Sequence, residues 1–265
     1  MRMEYNTLIL EKIDHNILKM TLNRPQSSNA MSEELLSEFA IAVHEISNDK
    51  SSKVLIITGA GRNFCAGGDL GMVQRLHEQG YPELRAFFQN FHRALIRLQD
   101  MEKLVIASVN GAAAGAGCDL ALSCDLRIAS ASAKFCEIFA NIGAVPDGGA
   151  TYLLPRIVGL GRAFELITTC KMVDAQEAER IGLVNMLVPN DQLEKATMDL
   201  AARFAAGPTM AFGLIKKNIY RGLAVDFTTE LDYEAHAQCV CLQSDDVAEG
   251  ISAFLEKRKP AFTGK

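Results

Sequence analysis

Residues 5–12 and 16–22 alternate apolar and polar side chains on either side of Asp14-His15-Asn16. A period of two broken by a polar triplet predicts a hairpin, which Asn23-Arg24-Pro25 ends. Ser32, then Glu34-Leu35-Leu36, Phe39, Val43 and Ile46, predicts a capped amphipathic helix to about Ser47. Apolar runs at 54–58, 104–109 and 126–129 predict strands. Between them, Leu84, Phe87, Phe88, Phe91, Leu95 and Leu98 recur at helical spacing, giving a helix over 83–99, and a further helix runs from about Gly115 to Ser123. Apolar strands alternating with helices predict an α/β fold with largely parallel pairing. After about residue 160 the pattern becomes helical: 161–169, 175–180, 191–205, 208–220, 227–242 and 245–257, with a break at Gly207-Pro208. The expected organisation is a core over 1–206 and a helical region over 207–265. The latter mixes apolar faces with charges that suit the core or a neighbouring subunit.

Two of the strands run into glycine-rich turns. Val54-Leu55-Ile56-Ile57-Thr58 leads to Gly59-Ala60-Gly61-Arg62-Asn63-Phe64-Cys65-Ala66-Gly67-Gly68-Asp69-Leu70. Lys103-Leu104-Val105-Ile106-Ala107-Ser108-Val109 leads to Asn110-Gly111-Ala112-Ala113-Ala114-Gly115-Ala116-Gly117-Cys118-Asp119. A strand that ends in exposed backbone and opens a helix leaves amide N–H groups unpaired. Two such turns could aim two N–H groups at one oxygen and so stabilise negative charge on a carbonyl. Close packing in an α/β domain is the plain alternative. A P-loop is disfavoured because neither turn ends in Gly-Lys-Ser/Thr, and Gly111, Gly115 and Gly117 do not match the dinucleotide spacing.

Composition narrows the field. The chain has 265 residues, 49% hydrophobic and 22% charged, with net charge −5. That is enough chain for a substantial core, and the charge favours neither nucleic acid nor an anionic membrane as a partner. No stretch approaches a membrane span, and the N-terminus lacks a signal-peptide pattern. Seven cysteines, an odd number in apolar surroundings, suggest reduced thiols and a cytoplasmic location. Cys239-Val240-Cys241 lacks a second ligand cluster, so no metal site is expected.

Taken together, these residues resemble the crotonase superfamily of enoyl-CoA hydratases and isomerases, over essentially the whole chain. The resemblance rests on Leu22-Asn23-Arg24-Pro25 with Asn29-Ala30, the turn from Gly59 to Leu70, Val109-Asn110-Gly111 and Cys124-Asp125. It continues through Ala133-Lys134-Phe135, Pro146-Asp147-Gly148-Gly149 and the run from Glu249 to Arg258. Pro146–Gly149 with Tyr152-Leu153-Leu154-Pro155-Arg156, and the tail from Pro260 to Lys265, most resemble bacterial epoxyphenylacetyl-CoA isomerases of phenylacetate breakdown. The resemblance implies a β-β-α spiral core with a C-terminal helical trimerisation region, and a homotrimer or homohexamer. It also implies an acyl-CoA thioester substrate, coenzyme A entering with the substrate and no separate cofactor. By position, it places the oxyanion donors at Ala66 and Ala116.

Chemistry beside a thioester needs a base and an acid. In hydratases of the family two glutamates serve; the first position falls on Asp119 and the second on Phe139, which carries no proton. The resemblance offers Asp147 instead, an aspartate that isomerases of the family carry at this place. Asp147 is the expected base and Asp119 a possible assistant; the plain alternative is a cap or turn residue for Asp147 and a local hydrogen-bond acceptor or ion-pair partner for Asp119. Glu137 reads as a solvated or structural charge. Gly67, Gly68, Asp69, Leu70, Phe139, Phe254 and Lys257 are the expected substrate contacts. Met72 and His77 fall in a segment that lines the acyl pocket in relatives. Isomerisation of an unsaturated acyl-CoA is the leading expectation; hydration, or a silent acyl-CoA- or RNA-binding role, are the alternatives.

Overall fold

A computed structural model describes residues 5–265. Its strands are β1 (Leu8–Ile13), β2 (Ile17–Leu22), β3 (Val54–Gly59), β4 (Leu104–Val109), β5 (Ala112–Ala114), β6 (Leu126–Ser130), β7 (Lys134–Cys136), β8 (Val173–Asp174) and β9 (Met186–Val188). The helices of the first half are α1 (Glu33–Asn48), α2 (Leu70–His77), α3 (Tyr81–Asp100), α4 (Ala116–Ser123) and α5 (Ala150–Val158). Those that follow are α6 (Leu160–Thr169), α7 (Ala175–Arg180), α8 (Leu193–Ala205), α9 (Thr209–Gly222), α10 (Phe227–Leu242) and α11 (Asp245–Leu255).

The main sheet has the order β1-β2-β3-β4-β6-β9, and a small sheet has the order β5-β7-β8. Only the β1–β2 hairpin breaks the parallel pairing of the main sheet. Its central strands are buried on both faces, which is why they read as continuous apolar runs. Alternate residues serve opposite layers. Leu55, Ile57, Val105 and Ala107 pack with Phe39 and Val43 of α1 and Phe91 and Leu98 of α3. Val54, Ile56, Ile106 and Ile128 pack with Leu193, Ala201 and Ala205 of α8. Ser32 caps α1 by accepting from Leu35 N at 3.2 Å.

Two expectations need correcting. The region after residue 160 is not wholly helical, because β9 extends the main sheet beside β6 and β8 pairs with β7. Nor does the second glycine turn pass directly into a helix: β5 intervenes, and its pairing with β7 carries the chain from β4 to α4. Strands of two or three residues are too short to show a period.

The C-terminal helices are anchored through α9. Lys216 Nζ, buried, donates to Leu98 O (2.6 Å) and Lys103 O (2.9 Å) and pairs with Asp125 (2.8 Å). Tyr220 donates to the other Asp125 oxygen at 3.0 Å. Among the described residues no helix is long and apolar enough to cross a membrane.

Candidate active site

The first glycine turn is held from upstream. Asn29, fully buried with φ of 56°, accepts from Arg24 N and donates to Ala60 O and Asn63 O. A Cβ on Gly59 would lie 2.2 Å from Asn63 O, so only glycine permits this close return. Asp69 caps α2 by accepting from Met72 N (3.2 Å), and its other oxygen pairs with Arg24 (3.2 Å). Asp69 therefore holds the loop; every bond it makes here is to the protein.

The two turns are stitched together. Cys65 N donates to Ala112 O (3.0 Å), and Ala114 N donates to Cys65 O (2.9 Å). Gly67, with φ of +96°, approaches so closely that a Cβ there would lie 2.7 Å from Ala114 O and 3.6 Å from Ala116 N. Backbone from the two turns thus meets at one place, as two converging donors require.

The identity of the first donor is different from the expectation. Ala66 N donates to Ser28 O at 3.0 Å and is not free. Met31 N donates to Gly67 O (2.7 Å) and Asp69 N to Met31 O (3.0 Å), a bridge that leaves the intervening Gly68 amide without a protein acceptor among the described residues. Ala116 N, at the first position of α4, is likewise unpaired, and the helix dipole adds to its pull on an anion. The free pair is Gly68 and Ala116. Which amide is free depends on bonds to Ser28 and Met31, more than thirty residues upstream, and no local motif carries that information.

Three carboxyl groups gather beside this point, Asp119 and Glu137 buried and Asp147 half-buried. Asp119 of α4 has no exposed surface; its oxygens accept from Gly148 N (2.9 Å) and Ala150 N (3.0 Å). It thereby caps α5, whose own N-cap, Gly149, has no side chain to do so. Burial and the nearby Glu137 and Asp147 push its carboxyl well above the ordinary range, against the pull of the two N–H groups. Gly148 makes the arrangement possible, since a Cβ there would lie 2.6 Å from Asp119 Cβ.

Asp147 sits in the turn that Asp119 holds. Its backbone oxygen meets His92 Nε2 of α3 at 2.6 Å; because a carbonyl only accepts, that nitrogen carries the proton. The His92 ring stacks on Phe88 with centroids 6.3 Å apart. Asp147 Oδ1 is buried without a hydrogen-bond partner. Burial pushes the carboxyl up to about 6, opposed by His92.

Glu137, read from sequence as a solvated or structural charge, is neither solvated nor tied into a structural bond. It is 2% exposed, and among the described residues no backbone amide or charged side chain bonds to either carboxylate oxygen, which leaves only the weakly donating Cys118 thiol facing it. Burial first, and Asp147 next among the raising influences, push it up to about 7, while the facing Cys118 thiol lowers it. Sequence position failed here because the reading followed the register of Phe139; the signal it passed over was a charged residue directly after a buried strand. Among the described residues, no three His, Cys, Asp or Glu side chains are arranged to hold a metal ion.

The remaining expected contacts divide. Phe139, half-buried, turns its ring edge toward Gly115, 3.7 Å from where a Cβ would stand, so it borders the start of α4. Leu70 is exposed at the start of α2 beside the turn, Met72 is buried and His77 is exposed. Phe254 lines an apolar cavity of about 400 Å³ with Pro208, Met210, Ile251 and Phe262, a cavity lined by neither glycine turn and by none of Asp119, Glu137 and Asp147. Lys257 follows α11 with φ of 55° and is exposed. Within one chain these two are not gathered with the carboxylates.

The chain is similar to known proteins over nearly its whole length. The enoyl-CoA hydratase/isomerase family model matches residues 12–265. The chain is 38% identical to the 1,2-epoxyphenylacetyl-CoA isomerase of Escherichia coli K12, over 97% of this chain and 98% of that protein. It is 39% identical to the short-chain-enoyl-CoA hydratase of Clostridium acetobutylicum, over 97% of each. The crystal structure of an enoyl-CoA hydratase from Bacillus anthracis superposes with a TM-score of 0.92 at 34% identity, covering 98% of this chain and all of that one. The stitched glycine turns and the full-length match give one conclusion: this chain is an enzyme of the enoyl-CoA hydratase/isomerase family, with the crotonase fold.

Proposed function

We propose that the enzyme moves a carbon–carbon double bond within an unsaturated acyl-CoA, through an enolate of the thioester. The observation that carries this reading is Asp147, whose Oδ1 is buried and unpartnered in a turn fixed by Asp119 and His92. Burial raises it to about 6, so at neutral pH it is ionised yet basic enough to take a proton. Phe139 stands where the family resemblance implies the second hydratase glutamate, which weakens the paired-glutamate route to hydration.

In this reading the thioester oxygen lies between the amides of Gly68 and Ala116. Asp147 removes a proton from the carbon beside the carbonyl, and the electron pair passes into the carbonyl as the enolate. Each amide meets the growing negative charge; one such donor is typically worth about 10²–10³ in rate. Asp119 does not carry the proton: both its oxygens already accept from the backbone, and it holds the Asp147 turn. Coenzyme A is part of the substrate, and no separate cofactor is required for the proton shift.

The similar proteins bear names of both kinds, isomerase and hydratase. A side-by-side assay of the two reactions separates them. A β,γ-unsaturated acyl-CoA is expected to be converted to its α,β isomer faster than crotonyl-CoA is hydrated; the reverse order refutes the isomerase reading. We also propose that the chain assembles as a trimer or a dimer of trimers through its C-terminal helices, where Phe227, Phe254 and Leu255 are more than two-thirds exposed.

A further inference from the structure

Glu137 is the carboxylate of this site that, among the described residues, accepts from no backbone amide and no cationic side chain; the one donor that faces it is the weak Cys118 thiol. Its place is set by the small sheet. Cys136 pairs with Ala114, and its carbonyl accepts from Gly115 N at 2.8 Å, so Glu137 emerges level with the start of α4. From there it faces Cys118 and Asp119 on α4 and Asp147 in the following turn. The two N–H groups that satisfy Asp119 bond to Asp119 alone, and among the described residues no lysine, arginine or histidine forms an ion pair with Glu137. A buried carboxylate without a strong partner is unfavourable relative to a neutral side chain of the same shape. Glutamine or methionine would fill the same volume without that penalty.

The proposed reaction has a matching requirement. Moving a double bond removes a proton at one carbon and adds one two bonds away. Asp147 supplies the removal, and Phe139 leaves the second carrier missing at its implied position. We propose that Glu137 is that second proton carrier, delivering a proton to the γ carbon after Asp147 has taken one from the α carbon. The inference rests on the reading of Asp147 as base.

The step balances. Asp147 takes the α proton, and the C–H electron pair enters the thioester π system as a dienolate. Glu137 gives its proton to the γ carbon, and the displaced electron pair becomes the α,β double bond. The proton on Asp147 then returns to the Glu137 carboxylate, restoring both groups without any oxidant or reductant. Burial and Asp147 hold Glu137 near 7, so both its forms are populated at neutral pH. Cys118, Asp119, Asp147 and, through Asp147, His92 are the titratable groups that face the pair.

The test uses Glu137→Gln in the full chain. Exchange of the α hydrogen of an acyl-CoA in D2O requires only Asp147 and should persist within about threefold. Isomerisation should fall at least about a hundredfold, the lower end of general acid–base contributions. The melting temperature should hold or rise, since an unpaired charge is removed. In the free enzyme, carboxyl NMR should show the Glu137 midpoint dropping from about 7 in Asp147→Asn, where the neighbouring charge is gone. Loss of exchange and isomerisation together, retention of both, or a fall in melting temperature would overturn the proposal. Exchange that survives Asp147→Asn instead sinks the assignment of the base, which keeps the two failures distinct.

Discussion

Asp147 and Glu137 are acids whose charged forms the fold disfavours, and their stability consequence has a definite sign. Asp147 rises from an ordinary 3.8 to about 6, and Glu137 from 4.5 to about 7, both mainly by burial. Between the ordinary and raised values the unfolded chain has released protons that the folded chain keeps. Stability therefore falls as pH climbs through about 6 and about 7. Carboxyls with lowered values, such as Glu38 and Asp69, act at the acid end, below their ordinary range, and do not compensate in this window. Melting temperature should decline across that window in the native protein and decline less in a double variant carrying Asp147→Asn and Glu137→Gln. Equal slopes would show that neither group is raised by the fold. At this scale the sequence was partly legible. Asp147 stood out through its motif, and Asp119 was found although its work is to hold the turn. The role of Gly68 as the free donor, where only a substrate contact was expected, and the burial of Glu137 were hidden because they come from what surrounds each residue: a bridge to Met31 in one case, the lack of any backbone or cationic partner in the other.

The turn between the 3₁₀ segment Ile138–Ile142 and α5 is the element on which the site depends. It is anchored at two points: Asp119, through the amides of Gly148 and Ala150, and His92 at the Asp147 carbonyl. Gly148→Ala tests the first anchor. The added Cβ would lie 2.6 Å from Asp119 Cβ and 2.8 Å from its Oδ2, and both residues are buried. The clash pushes Asp119 off the N-terminus of α5, with a loss of about 1–3 kcal/mol expected from overpacking of this kind. Chemical denaturation measures the loss, and isomerisation should fall with it because Asp147 moves. A variant as stable and active as the native protein would show that the turn is not held this way. Elements with a period were readable in advance: the hairpin, the strands β3, β4 and β6, and the long helices. The strands β5, β7, β8 and β9 were not, since two or three residues contain no repeat and their pairing is decided by distant partners.

In the whole molecule, the α9–α11 region joins the core through the buried Lys216 and Asp125 while leaving apolar side chains outward. A single chain does not cover them, so a trimer-based assembly is expected; sedimentation at micromolar protein that finds only monomer would contradict it. Such an assembly could also bring Phe254 and Lys257 of one protomer toward its neighbour's site, which the single chain does not do. The central claim is narrower: the protein shifts a double bond, and Asp147 is the base. The most direct measurement repeats the paired assay, β,γ isomerisation beside crotonyl-CoA hydration, with Asp147→Asn and Asp119→Asn. The account predicts that Asp147→Asn lowers isomerisation at least about a hundredfold, and Asp119→Asn by less. Hydration that is efficient, survives Asp147→Asn and disappears in Asp119→Asn would contradict it.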